Sequence, residues 1–377
     1  MPQVEPFVDA SVVPPTPLFT YTQLLRGPRH RWWRPLVGIV LFLATLLAFI
    51  LALLVVLLGA ALGVALATRG GAGAGLPLAR TWLAQLSDTQ FSAIDLLANN
   101  LLLASLIPTV FVAVWGGHRV RIGLLGSVEG RLRWGWMFRA AAIAVTVFSL
   151  VFAGLSLLPG GQASLKPEQD WLIMTVIMVL TTPLQSAGEE FLFRGWLSQA
   201  VGSWFSRPLV AAVAAGLVSS TLFAIAHGSS DPWLFADRFS FGVVASVLTY
   251  RTGGLEAGIA VHTVNNLFAF SLAIITGQLS STALVSSESP VDFVINLADL
   301  LIVAAIVLAV GHRLRLRRWW TLAAPWPVAA GTTSAPPPWP GPAGSPVRSD
   351  GGRSDGGGPD GFWSAGGGPG GPQGPAA

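Results

Sequence analysis

The chain has no cysteine. Disulfides, zinc–thiolate sites and cysteine nucleophiles are therefore excluded at once. Charge is scarce too: 11% of the 377 residues are Asp, Glu, Lys or Arg, against about 25% in an ordinary soluble domain. A soluble fold of this length could not solvate its surface with so little charge, and disorder needs the reverse pattern of low hydrophobicity and high charge. The net charge is only +4, which argues against nucleic acid as a partner. Lysine occurs once, at Lys166, against 21 arginines. That skew, with heavy Ala and Gly usage, suggests a GC-rich bacterial genome, which is a matter of codons rather than physics.

What is present is apolar. Ala, Val, Ile, Leu, Met, Phe, Trp and Tyr together make up 52% of the chain, and the mean hydropathy is +0.63, which leaves the membrane class. The expectation is an all-α, polytopic transmembrane helix bundle. The first apolar run, residues 36–68, is far longer than the roughly 7–15 residue core of a signal peptide, so it reads as a membrane helix rather than a cleavable leader. At 1.5 Å per residue it reaches about 50 Å, more than the ~30 Å hydrocarbon core, and would tilt.

Hydropathy outlines about eight spans: 36–68, 93–115, 137–158, 171–200, 208–227, 239–250 with its approach from Trp233, 257–276 and 292–311. The sixth is short. Placing the amino terminus inside and alternating puts fifteen arginines on the inner side, among them Arg26, Arg121, Arg133, Arg251 and Arg313. Arg69, Arg80, Lys166 and Arg238 are left outside. The positive-inside rule favours this orientation, with both termini cytoplasmic in a multi-pass cell-membrane protein surrounded by lipid. Trp32, Trp33, Trp319 and Trp320 occupy interfacial positions at the two ends. The domain reading is a cytoplasmic arm over 1–35, a membrane domain over 36–322 and a disordered tail over 323–377. From Pro325 onward 27 of 53 residues are Gly or Pro and no periodicity is present.

Inside a span an ionisable residue costs about 2.5–3.5 kcal/mol at the helix centre, so those retained are informative. The fourth span contains Glu189, Glu190 and Arg194. Glu190 and Arg194 are i and i+4, share a face and can pair as a structural clamp. Glu189 is turned about 100° away and is left without an arginine of its own. Of five histidines, His30, His118 and His312 neighbour arginines at span ends and read as interfacial. His227 closes the fifth span four residues after Phe223, and His262 lies in the seventh, four residues before Asn266. Three helices could thus offer polar groups to one site: Glu189, His227, and His262 with Asn266. Asp95, Asn99 and Asn100, and likewise Asp292, Asn296 and Asp299, read as helix–helix hydrogen-bonding groups. Glu256 reads as interfacial.

Glu189-Glu190-Phe-Leu-Phe-Arg194, then Phe223-x-x-x-His227, then His262-x-x-x-Asn266, resembles the CPBP family of intramembrane peptidases, the type 2 CAAX prenyl proteases and bacteriocin-processing enzymes. The resemblance covers roughly 171–276. It implies proteolysis in the membrane, with Glu189 as general base, His227 as its partner in activating water, and His262 and Asn266 as the groups that stabilise the oxyanion. Glu190, Arg194 and Phe223 would be structural support. The chemistry is coherent on its own terms, since a carboxylate and an imidazole can deprotonate water while an imidazole and an amide face the developing charge. The family has been called metallopeptidase, and Glu189, His227 and His262 would supply the three ligands that catalytic zinc usually takes. No His-Glu-x-x-His motif is present, and the family is also discussed as a glutamate peptidase, so both readings stand.

The expected partner is a membrane-associated peptide or protein substrate. Bacteria generally lack prenylated CAAX proteins, so a prenyl substrate does not carry over by default. A proton-relaying transporter is the alternative, though no inverted repeat is visible between the halves. A non-catalytic immunity or scaffold member of the same family is a third reading. One tension attends the drawing: with straight helices ending where hydropathy ends them, Glu189 and His262 fall toward the inner side and His227 at the outer end.

Overall fold

The computed structural model describes residues 18–27, 30–67, 77, 80, 91–157, 164–228, 230–283 and 287–321. The Gly/Pro-rich tail lies outside them. The described part is a helix bundle, as the composition requires. α1 is Arg34–Ala67, α2 Ala93–Ala104, and α3 Leu106–Val112, which runs on into a π-helical turn, Ala113–His118. α4 is Trp134–Ser156. α5, Trp171–Glu190, continues through a second π turn, Phe191–Leu197, into the short α6, Ser198–Gly202. α7 is Pro208–Ala226, α8 Pro232–Thr252, α9 Glu256–Thr276, α10 Leu279–Ala283 and α11 Pro290–Arg313.

Seven of these stretches are long and apolar enough to cross a membrane. The expectation of about eight differs by one, the sixth. α8 has the length, 21 residues or about 31 Å, but carries Asp237, Arg238 and Arg251, which dilute its hydropathy. It packs along α7 and α11 nonetheless. α1 stands apart in character: no residue of its most apolar window is buried and many of its large apolar side chains are exposed, as a lipid-facing helix allows.

The helix starts follow local chemistry. Ser92 and Asp95 form a capping box on α2, Asp231 accepts from Leu234 N at the start of α8, and Ser289 accepts from Asp292 N at the start of α11. Pro208, Pro232 and Pro290 stand in the first turns of α7, α8 and α11, where a missing N–H costs nothing. The core has three parts. One joins α4, α8, α9 and α11 around Trp136, Leu248, Val261 and Val303. A second surrounds Trp196 and Leu255, and a third lies where α2, α5 and α9 meet around Leu96 and Met178. Gly188 is needed at the α2–α5 contact, because a Cβ there would collide with the Leu103 carbonyl.

The amino-terminal segment adds a feature that hydropathy does not reveal. β1, Leu18–Thr20, pairs antiparallel with β2, Trp319–Thr321, and the 3-10 turn Tyr21–Arg26 that follows is buried over Tyr21–Leu25. Tyr21 donates its hydroxyl to the Leu125 carbonyl. Trp320 therefore packs on Phe19, at 5.9 Å between ring centroids, rather than serving only as an interfacial ring.

Candidate active site

The carboxylates lie mid-helix, in the stretch Trp171–Gly202. Glu190 and Arg194 pair as their i, i+4 spacing predicts: Arg194 Nη1 donates to Glu190 Oε1 at 2.8 Å, and neither side chain is exposed. The arginine also lies over the Phe223 ring, with its guanidinium carbon 4.3 Å from the centroid, a cation–π contact that helps hold a fully desolvated charge. The π turn Phe191–Leu197 begins directly after Glu190. It widens the backbone there, and Ser198 and Ser219 both donate to the Phe193 carbonyl, at 2.9 and 2.8 Å.

His262, on α9, sits between the two glutamates. Its Nε2 is 3.3 Å from Glu189 Oε2 and its Nδ1 is 3.0 Å from Glu190 Oε1. The adjacent carboxylates, turned onto different faces of α5, thus meet the two nitrogens of one imidazole. The ring is walled by Phe241 at 4.8 Å and Phe223 at 6.0 Å. Gln185, one turn before Glu189, donates Nε2–H to Glu189 Oε2 at 2.9 Å, and its Oε1 accepts from Asn266 Nδ2 at 3.1 Å. Asn265 in turn donates to Asn266 Oδ1 at 3.3 Å.

His227 is placed differently. It caps the end of α7 with an exposed side chain, and its Nδ1 faces the Phe223 carbonyl of its own helix at 2.8 Å. No hydrogen bond among the described residues joins it to Glu189 or His262. What links them is Phe223, whose ring is 4.5 Å from His227 and 6.0 Å from His262. Both histidines therefore flank one aromatic ring, with His227 a turn further out. The structure keeps the separation that the drawing gave: His262 reaches both glutamates and His227 does not. The turn between α8 and α9 positions His262. Residues 252–260 are all buried, since the turn is tucked beneath residues 126–133 rather than lying at the surface. Leu255 N donates to Gly126 O and Val128 N to Gly253 O, each at 2.9 Å. Gly253 has φ +74°, the left-handed conformation that lets α8 stop and turn there. His262 thereby reaches the level of Glu189 and Glu190 although it is only six residues into its helix.

The three residues expected as zinc ligands do not converge. Among the described residues no group of three His, Cys, Asp or Glu is placed to hold a metal ion. Both nitrogens of His262 already face carboxylates, and His227 turns its Nδ1 to its own helix. The donor set does not fit a three-ligand zinc site.

Other expectations are corrected. His118 is not a free side chain at its span end: it is 3% exposed, and its Nε2 accepts from Trp196 Nε1–H at 3.1 Å. Glu256 is not free either. It is fully buried and takes a two-pronged bond from Arg133, at 2.8 Å from Nε and 2.7 Å from Nη2, which ties the covering loop to α9. Asn100 does bond across helices, donating to Thr181 and Thr182 of α5 at 2.8 and 3.1 Å. Asp95 and Asp292, by contrast, bond Ser92 and Ser289 at the starts of their own helices.

The three motifs do not include Gln185, Arg238, Phe241 or Asn265. Arg238, Phe241 and Asn265 line a cavity of about 690 Å³ between α8, α9 and α11, whose lining also includes Glu288, Asp292 and Asp237, the last paired with Arg238 at 2.8 Å. Only Gln185 has a visible signal in the sequence, since it precedes Glu189 by four residues and shares its face.

The comparisons with known proteins bear on this same stretch. The family model described as "Type II CAAX prenyl endopeptidase Rce1-like" matches residues 167–268. The chain is also 30% identical over 104 residues to "Uncharacterized protein YyaK" of Bacillus subtilis (strain 168), covering 26% of this chain and 33% of the relative. The chain therefore spans about a third of the length of that curated relative. No solved structure matches.

Residues 167–268 thus carry an Rce1-like segment, which supports the assignment to the CPBP family made from the three motifs. With seven stretches among the described residues long and apolar enough to cross a membrane, the chain is a multi-pass membrane protein.

Proposed function

We propose that this chain is an intramembrane endopeptidase in which Glu189 activates the attacking water on a membrane-associated peptide or protein. The observation that carries the reading is the ring of His262, held between Glu189 and Glu190 and walled by Phe223 and Phe241. Glu189 Oε2 is engaged by Gln185 and His262, while its Oε1 takes no hydrogen bond from any described residue. That oxygen is the one free to receive the water proton. The Glu190–Arg194 pair fixes His262 from behind, as an acidic partner fixes the orientation of a working imidazole. The Asn266 amide is the candidate donor to the oxyanion that forms when water adds to the carbonyl. His227, at the outer edge of Phe223, would join the water when substrate closes the mouth of the site, because apo geometries are often loose.

Substrate would approach through the cavity on the α8–α9–α11 side, past Arg238 and Asn265. If α8 is counted as a crossing, the chain has eight, and the arginine distribution puts both ends in the cytoplasm. The test compares new peptide termini in membranes from a deletion strain after incubation with purified wild-type or Glu189→Gln protein. Termini generated by the wild type and not by the variant support the reading. Identical sets from both would refute it.

A further inference from the structure

Gln185 is the one described side chain that bonds both a carboxylate of α5 and the amide of α9 at this site. It is 5% exposed. Its Nε2–H donates to Glu189 Oε2 at 2.9 Å. Its Oε1 accepts from Asn266 Nδ2 at 3.1 Å and from the Ser186 hydroxyl at 3.2 Å. The two ends of this amide are not interchangeable. Turned over, its oxygen would face the Glu189 carboxylate and its NH2 would face the NH2 of Asn266, which is repulsive at both ends. The orientation of Gln185 therefore sets the orientation of both neighbours. It holds Glu189 by one oxygen, so that the other is the one presented. It takes the shorter of the two bonds that the Asn266 amide nitrogen makes, at 3.1 Å, the other reaching the Ser186 hydroxyl at 3.4 Å. Asn265 completes the relay from the cavity wall by donating to Asn266 Oδ1.

The geometry points to Gln185 as a positioning residue that aligns the base, Glu189, with the oxyanion donor, Asn266; this rests on the peptidase reading above. Its amide is engaged by Glu189, Asn266 and Ser186. Its effect is exerted through the two groups it bonds, and a displacement of about 1 Å in such groups is enough to cost roughly 100-fold in rate. The substitution that isolates the role is Gln185→Met, which keeps the length and apolar volume and removes both hydrogen-bonding ends. Gln185→Asn keeps the amide but sets it one carbon too short to reach both partners.

The assay is cleavage, by purified protein in detergent, of an internally quenched peptide taken from a site found in the terminal-peptide comparison. Gln185→Met and Gln185→Asn are expected to lower kcat about 10- to 100-fold, with KM unchanged within about 2-fold. The melting temperature is read alongside. In the background Asn266→Ala the additional loss from Gln185→Met should be smaller than in the wild type, because the part exerted through Asn266 is already gone and only the part through Glu189 is left. Wild-type kcat in either variant overturns the inference. So does a loss of activity that merely tracks a loss of folded protein in both variants, or a full, undiminished loss in the Asn266→Ala background. If the wild-type protein cleaves no peptide at all, it is the peptidase reading that falls, and this inference falls only as its consequence.

Discussion

Replacing Glu190 by Gln should destabilise this protein far more than replacing Glu189 by Gln, although the residues are adjacent and both lie in the membrane. Glu190 Oε1 takes bonds from Arg194 Nη1 at 2.8 Å and His262 Nδ1 at 3.0 Å. Arg194 is fully buried, and its Nε and Nη2 have no hydrogen-bond partner among the described residues. Once Glu190 is neutral, the guanidinium is left as an uncompensated buried charge. Breaking a buried pair from one side costs about 3–5 kcal/mol. The cation–π contact with Phe223 exists before and after the change and offsets none of it. Glu189 has no arginine at ion-pair distance, and a glutamine there keeps an oxygen for the Gln185 N–H, so its loss should stay below about 1.5 kcal/mol. At about 2–4 °C per kcal/mol for a large domain, Glu190→Gln should melt roughly 6–20 °C below wild type and Glu189→Gln within about 6 °C. The assay is thermal unfolding in detergent followed by tryptophan fluorescence. The double variant Glu190→Leu/Arg194→Leu should recover much of the loss, because both charges go together. A Glu190→Gln protein that melts within about 2 °C of wild type, less than 1 kcal/mol on the same scale, would sink the ion-pair assignment. So would one that melts no lower than Glu189→Gln.

Three further outcomes are expected. Gly258→Ala would place a Cβ 2.9 Å from Glu190 Oε2, inside normal contact, and should lower stability by about 1–3 kcal/mol in the same melt. Arg133→Lys loses the fork that grips Glu256 and should loosen the cover over the α8–α9 turn, seen as faster hydrogen exchange at residues 252–258. Burial and the nearby Asp237 push the Glu288 carboxyl up to about 7 from its ordinary 4.5. A carboxyl raised on folding favours the fold while protonated, so its contribution is present below about pH 4.5 and lost as pH rises toward 7. The melting temperature of wild type should fall across that window, and Glu288→Gln should flatten the fall; parallel curves would contradict it.

Much of the architecture was legible because lipid imposes one rule on every residue of a crossing helix. The ends drawn for the fourth and seventh spans, 171–200 and 257–276, lie within two residues of Trp171–Gly202 and Glu256–Thr276. The Glu190–Arg194 pair was legible because i, i+4 contacts are decided within one helix. What escaped was tertiary. Nothing in the spacing says that His262 sets its two ring nitrogens against Glu189 and Glu190, or that His227 turns Nδ1 back to its own helix, since both depend on how the helices pack. Nor does an arginine beside His118 disclose that Trp196, 78 residues away, donates to its ring. Glu256 read as interfacial because its partner, Arg133, is 123 residues distant. The π turn after Glu190 is invisible to hydropathy, which cannot tell a widened helix from a regular one.

Whether Glu189 activates water is decided by kcat for Glu189→Gln, measured on purified protein whose melting curve shows it folded, with the same quenched peptide. Removing a general base of this kind should lower kcat about 100- to 10,000-fold. Turnover at the wild-type rate would contradict the assignment of Glu189 as the group that activates water.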